Sequence, residues 1–229
     1  MPASTDLLPL FASLRVADVR DAMDAHMLHH VGSMDPGIRP LWRTRACGIA
    51  RTVRYVPFDG AIPRMTPAEY DEWAGAYYRD VCPYPWNREI QDGDFIVIDQ
   101  SGVDAGLMGS ENTLACVRRG ARGFVTSGGV RDTDEIIGQN VPFWSRLISQ
   151  SMVQGRLKYD ARDVPVHVGG VLVHPGDVVV ADGDGVIVVP QACAADVAER
   201  ANTVHQADIR LRSAHYDALG LPRDDSVES

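Results

Sequence analysis

Apolar positions recur along this chain with two different periods, and the places where the period changes mark out its elements. From Ser13 to about His30, the residues Leu14, Val16, Val19, Ala22 and Met23 fall on one face of a 3.6-residue repeat, which predicts an amphipathic helix. Asp35-Pro36-Gly37 predicts a turn. Ala46 to Val56 reads as a strand, with Arg51 and Arg54 expected on one face. Phe95-Ile96-Val97-Ile98-Asp99, entered through the turn Gln91-Asp92-Gly93-Asp94, is a continuous apolar run of the kind buried on both faces of a sheet. Ser110 to Arg119 returns to helical character: Ser110 is a good N-cap, Arg118 and Arg119 fall in the last turn, and Gly120 suits the left-handed residue after it.

Beyond that helix, Gly123-Phe124-Val125-Thr126 predicts a short strand ending at Ser127-Gly128-Gly129, and another helix begins at Asp132 and runs to Ile137. Val164 to Val173 predicts a strand broken at Gly169-Gly170. Val178 to Ala181 and Val186 to Val189 flank Asp182-Gly183-Asp184-Gly185, a hairpin signal. Pro190 to Leu219 reads as a long helical region closed by Gly220-Leu221-Pro222. One segment breaks the rhythm. From Pro57 to Glu89 the chain is rich in proline and aromatics, with a helix expected over Tyr70 to Asp80. Long segments of this kind are usually functional, so it is read as an inserted flap or lid, with Tyr77, Tyr84 or Trp86 as candidates to line a pocket.

Strands and helices alternate without a linker or an internal repeat, so 229 residues predict one α/β domain over 1–229 with the insertion at about 57–89. The net charge of −9 argues against nucleic acid, whose phosphates need clustered Lys and Arg. It also means that any site for an anionic substrate must carry its own positive charge or a metal. No stretch approaches the roughly 20 apolar residues of a membrane span. The opening Met1-Pro2-Ala3-Ser4-Thr5-Asp6 lacks the basic and apolar regions of a signal peptide, and a cytoplasmic protein without membrane partners is expected. Cys47, Cys82, Cys116 and Cys193 are widely separated and read as reduced thiols.

The candidate chemistry lies between Gly109 and Asp132. A helix opening near Ser110 leaves backbone N–H groups without intrahelical partners and adds partial positive charge, so a carboxylate is a natural ligand there; a plain capped helix start explains the same residues. Arg131-Asp132 follows Gly128-Gly129 at a strand end, where Asp132 could hold Mg²⁺ or Mn²⁺ and Arg131 could hydrogen-bond a neighbouring carbonyl. A surface ion pair, or a cap for the helix at Thr133-Asp134-Glu135, is the alternative. Three other signals are weaker. His26, His29 and His30 have helical spacing but no evident fourth ligand. Asp182-Gly183-Asp184-Gly185 starts like a calcium loop, yet position twelve would be Cys193. Gly102, Gly106 and Gly109 lack the G-x-G spacing of a nucleotide loop.

From Gly109 to Asp132 the chain resembles the family of 4-hydroxy-4-methyl-2-oxoglutarate and 4-carboxy-4-hydroxy-2-oxoadipate aldolases, which also contains the RraA-like regulators of ribonuclease E activity. The resemblance extends to Val16 through Met23, to Met34 through Pro40, to Gly169-Gly170-Val171, Pro175-Gly176-Asp177 and Ala181 through Val186, and so to most of the chain outside the insertion. It implies a β/β/α layered domain of the swivelling type, assembled as a trimer or a hexamer with active sites near subunit contacts. It implies a lyase dependent on a divalent cation, Mg²⁺ or Mn²⁺, that cleaves a 2-keto acid to a pyruvate enolate by retro-aldol reaction or by decarboxylation of oxaloacetate. In that family an acidic residue stands 21 positions before an Arg, which is followed by a metal-binding Asp. The Arg falls on Arg131 and the metal ligand on Asp132, while the acidic position falls on Ser110, a departure that leaves Glu111 next to it as the candidate for proton exchange. Gly109, Ser110, Glu111, Asn112 and Arg131 are the implied substrate contacts. A further position that is often Asp in the family is Ser127 here. Two rivals stay open: a non-catalytic regulator that binds a protein such as a ribonuclease, and a related lyase or hydrolase whose substrate fits the aromatic insertion.

Overall fold

Alternating side chains along the central strands go to two different cores, and this divides the molecule into layers. The computed structural model describes residues 4–228, so Met1, Pro2 and Ala3 of the opening segment, and Ser229, lie outside the described residues. The chain begins with α1 (Ser4–Phe11) and α2 (Val16–Ala25), then β1 (Arg39–Pro40), β2 (Ala46–Pro57) and α3 (Pro67–Asp80). The middle holds β3 (Asp94–Asp99), β4 (Gly106–Met108), α4 (Ser110–Val117), β5 (Gly123–Val130), α5 (Thr133–Gly138) and β6 (Phe143–Ile148). It ends with β7 (Leu157–Arg162), β8 (Val166–Val168), β9 (Val171–Val173), β10 (Val178–Asp182), β11 (Gly185–Val189) and α6 (Ala194–Leu219).

One sheet runs in the order β1-β6-β5-β3-β2-β10-β11, with β4 beside β5 and β7 beside β2. The neighbours β2, β3, β5 and β6 are parallel, as the buried apolar runs require. The sheet curls until it nearly closes: Trp144 on β6 donates its indole N–H to the Asp182 carbonyl at the β10–β11 turn, 2.9 Å away. Phe95 and Val97 on β3 pack under the β8–β9 hairpin with Val125, Trp144, Val168 and Val173. Ile96 and Ile98, one residue out of phase, pack on the opposite side with Phe124, Phe143, Cys116 and Ile136. At the far end, Ile49, Val178 and Ile187 meet Phe11, Val19, Met23 and Val197 from α1, α2 and α6. Hairpin, sheet and helices are the three layers of the expected α/β fold.

Several local expectations change. Arg51 and Arg54 are three residues apart, an odd interval in a strand, so they lie on opposite faces; Arg51 pairs with Asp94 and Arg54 with Asp160, each at 2.5 Å. The N-terminal helix stops at Ala25, with Met27 left-handed at φ 62°, so His26, His29 and His30 share no helical face. Among the described residues no cluster of three or more His, Cys, Asp or Glu is arranged to hold a metal. Gly169 and Gly170, both at positive φ, turn Val166–Val173 into a hairpin and not an interrupted strand. Strands β6 and β7 lay outside the predicted elements; β7 reads Leu-Lys-Tyr-Asp-Ala-Arg, too polar to stand out, and carries an irregular register opposite Arg54/Tyr55. Among the described residues, no helix is long and apolar enough to cross a membrane.

The aromatic segment is a fixed wall, not a loose flap. Thr66 and Glu69 form a capping box at the start of α3, one turn earlier than expected, and Pro67 takes the first helical position. Tyr77 and Trp86 are buried. Tyr77 donates to the Leu157 carbonyl at 2.7 Å, Trp86 donates its indole N–H to the Tyr55 hydroxyl at 2.9 Å, and that hydroxyl donates to the Pro83 carbonyl at 2.8 Å. Tyr55 lies on β2, so a single phenol ties the segment to the sheet. Removing only that oxygen leaves a buried N–H and a buried carbonyl unpaired, at about 1–3 kcal/mol. Tyr55→Phe is therefore expected to lower stability by about 2 kcal/mol in urea unfolding and to expose 57–89 to protease; a change within about 0.5 kcal/mol would show that the tie carries no weight.

A second tie joins α2 to α6. Arg15 holds the buried Asp18 through its backbone N–H, its Nε and its Nη2, and Nη2 also reaches Asp208 on α6 at 2.8 Å. His205 Nδ1 lies 2.9 Å from the same Asp18 carboxylate. Burial alone would raise the Asp18 carboxyl, but the hydrogen bonds from Arg15 outweigh it and hold the group below the usual carboxylate range. With the folded value depressed, the stabilisation is present above the unfolded pKa near 3.9 and is lost as pH falls through the folded value. Asp18→Asn is expected to cost about 2 kcal/mol at pH 7, with the gap to the unsubstituted protein closing below about pH 4 in parallel urea titrations. A gap independent of pH would assign the loss to shape and not to charge.

Candidate functional site

Strand β5 does not end at Thr126 but continues through Ser127-Gly128-Gly129 to Val130. Its last residues lie against β4, with Met108 paired to Val130 and the Arg131 N–H donating to the Met108 carbonyl at 3.0 Å. That pairing brings the start of α4 beside Arg131-Asp132. The approach depends on two glycines. A Cβ on Gly106 would fall 2.8–2.9 Å from three carbons of Arg131, and one on Gly109 would fall 2.3 Å from Asp132 Oδ2. A side chain at either position would have to displace Arg131 or Asp132 from the place it holds.

Asp132 adopts a left-handed conformation, φ 53° and ψ 43°, and caps α5 by position without a side-chain hydrogen bond. This conformation is unfavourable for most residues with a Cβ and least so for Asn and Asp. It directs the carboxylate backwards, away from its own helix, so that Oδ2 accepts the Ser110 N–H at 3.2 Å. Arg131 Nε lies 3.5 Å from Asp132 Oδ1. Gly109, not Ser110, is the N-cap of α4, and Ser110 is its first helical residue. Gly109 offers no side chain to cap the helix; Asp132 takes the Ser110 N–H, and the N–H groups of Glu111 and Asn112 have no partner within the helix.

These groups surround one cavity of about 390 Å³, lined by Gly109, Glu111, Asn112, Arg131 and Asp132, with Tyr78, Tyr84, Gly106 and Leu107 as its remaining wall. Five of the predicted residues therefore meet in one place, and Ser110 joins them through its backbone N–H. Of the three aromatics considered, only Tyr84 reaches the cavity; Tyr77 and Trp86 are core residues. Sequence reasoning missed Tyr78 and Leu107. Tyr78 follows Tyr77 on α3 by one residue, a turn of about 100° that leaves it half-buried at the core's edge, where it borders the cavity. Tyr84 donates its hydroxyl to the Leu107 carbonyl at 2.6 Å, and burial pushes its phenol well above the ordinary value of 10, with Arg131 opposing more weakly. It is a neutral donor, already engaged.

Ser127 is not in this cavity. It lines a separate one of about 360 Å³ on the hairpin side with Asp99, Arg146 and His167, accepting the Gln100 N–H at 2.9 Å and donating to Asp99 at 3.3 Å. The four cysteines are unpaired, and burial pushes the Cys82 and Cys116 thiols up to about 12, which leaves them unreactive near neutral pH.

Several known proteins resemble this chain in sequence and fold. Protein DlpA of Legionella pneumophila is 26% identical over 211 residues, 91% of this chain but 31% of the relative, so the chain spans about a third of that protein's length. A crystal structure of an uncharacterized protein from Pseudomonas syringae pv. tomato is 29% identical with a TM-score of 0.75, covering 97% of this chain and 96% of its own. Streptomyces coelicolor RraAS2, described as an unusual member of the RNase ES inhibitor RraA protein family, is 27% identical with a TM-score of 0.71, covering 90% and 96%. The family model described as RraA-like, Aldolase/RraA, matches residues 16–188, and the chain belongs to that family of aldolases and regulators.

Proposed function

We propose that this protein is a divalent-metal-dependent lyase that cleaves a C–C bond of a 2-keto acid and releases pyruvate, by retro-aldol reaction, by decarboxylation of oxaloacetate, or by both. The observation that carries the reading is the convergence of Arg131, Asp132 and the free Glu111 and Asn112 N–H groups at the start of α4 on one cavity. The donor set suits the metal. Mg²⁺ keeps several waters and is usually held by one or two carboxylates together with substrate oxygens, and the cavity offers Asp132 with Glu111 nearby. Asp132 would hold the ion, which when bound supplies Lewis acidity toward a keto oxygen.

The chain's own groups do the rest. The N–H groups of Glu111 and Asn112 bind the substrate carboxylate at the positive end of α4. Arg131 donates to the C2 keto oxygen and stabilises the negative charge that develops there as the C3–C4 bond breaks and the enolate forms. In the retro-aldol direction the Glu111 carboxylate accepts the proton of the C4 hydroxyl, and a proton is then delivered to C3 to give pyruvate. Decarboxylation needs only the second of these transfers.

The test is pyruvate release from oxaloacetate and from 4-hydroxy-4-methyl-2-oxoglutarate, with Mg²⁺, Mn²⁺ or a chelator. Free metal decarboxylates oxaloacetate unaided, so the comparison is with Asp132→Ala. Release is expected to need metal and to vanish in that variant. Arg131→Ala should lower kcat by about 10²–10³-fold. Gly109→Ala should also abolish release while the protein stays folded by circular dichroism, because the added methyl occupies the place of the Asp132 carboxylate. No release above Asp132→Ala with either substrate would discard these two reactions and leave either a lyase for a different substrate or a regulator of the kind RraAS2 is described as.

A further inference from the structure

The same cavity also selects what lies beyond C4, and here this chain departs from a site for dicarboxylates. This step rests on the lyase reading. Arg131 is the one cation among the described lining residues, and it serves the keto oxygen. The α4 N–H groups serve the C1 carboxylate. The other charges on the lining, Glu111 and Asp132, are negative. The surface left for the distal group is Tyr78, Tyr84 and Leu107.

That surface is rigid as well as apolar. The Tyr84 ring lies 6.0 Å from Tyr55, 6.1 Å from Trp86 and 6.4 Å from Tyr78, all tilted, in the range for aromatic pairs. Its hydroxyl hydrogen is spent on the Leu107 carbonyl, so it has none to give a substrate carboxylate. Against the lining of this chain a distal carboxylate would lose its hydration on two rings, facing two acids and no second cation. A flat, uncharged group would bury apolar surface on the same wall and stack on tyrosine. We infer that the preferred substrate is a monocarboxylate, a 4-hydroxy-2-keto acid whose C4 carries an aromatic or similarly flat uncharged substituent packed against the wall formed by Tyr78 and Tyr84.

Two probes separate this from a dicarboxylate site. In 4-hydroxy-2-oxo-4-phenylbutanoate the C3–C4 bond breaks, its electron pair passes to the enolate, the C4 hydroxyl proton is lost, and benzaldehyde leaves; protonation at C3 then gives pyruvate. In 4-hydroxy-2-oxoglutarate the same step gives glyoxylate and pyruvate. The metal-loaded protein is expected to favour the phenyl compound by at least about tenfold in kcat/KM, since an unpaired distal carboxylate costs 1.4 kcal/mol or more. Tyr78→Arg, which supplies the missing cation, should reverse the ratio, and Tyr78→Ala should reduce it. Calorimetric binding of phenylpyruvate against 2-oxoglutarate gives a readout that needs no turnover. Preference for the dicarboxylate in both assays, or a ratio that Tyr78→Arg leaves unchanged in a folded protein, would overturn the inference. Tight binding of phenylpyruvate without pyruvate release from any substrate would remove the lyase and keep the aromatic subsite.

Discussion

The Asp132 carboxylate on the first N–H of α4 is the contact on which the site depends. It joins residues 22 apart in sequence, and it is made only because the backbone turns left-handed at Asp132. Without that turn, the carboxylate would serve α5, which it caps by position, and Arg131 would stand alone at the end of β5. The unfavourable backbone conformation is held by what surrounds it: parallel pairing of β4 with β5 on one side and two glycines without side chains on the other. Strain at one residue thus turns a helix cap into a cavity-facing acid.

Much of the framework was legible because it follows from local rules. β3, the β10–β11 hairpin and the long α6 have continuous or repeated apolar patterns with turn residues at their ends, and they form where those patterns predict. Illegible elements are those whose partners are distant. Strand β7 is polar along its length and exists because β2 extends far enough to pair with it. Strand β4 has three residues and no pattern of its own. The end of β5 was misjudged for a related reason: Gly128 and Gly129 look like a turn, yet the first of them lies over the Gln100 side chain and the second over the Ala105 carbonyl, close approaches that only a bare backbone permits.

The candidate site was legible in its charged residues and not in its walls. Arg131, Asp132 and the helix start can be picked out because their chemistry is unusual at that spacing. The tyrosines cannot, because an aromatic-rich segment gives no hint of which ring faces the core. In α3 a single residue decides it: Tyr77 is buried in the core and Tyr78 borders the cavity. Tyr84 is held among other rings and by its hydrogen bond to Leu107, so little side-chain freedom is left to lose at this wall.

Gly109 carries a last consequence. The Asp132 oxygen occupies the space where a methyl group at position 109 would sit, so the acid is aimed by an atom that is absent. An Arg-Asp pair at the right distance from a helix start is therefore an incomplete signature of this site. A larger residue in place of that glycine would keep the pair and push the carboxylate from the position it holds here.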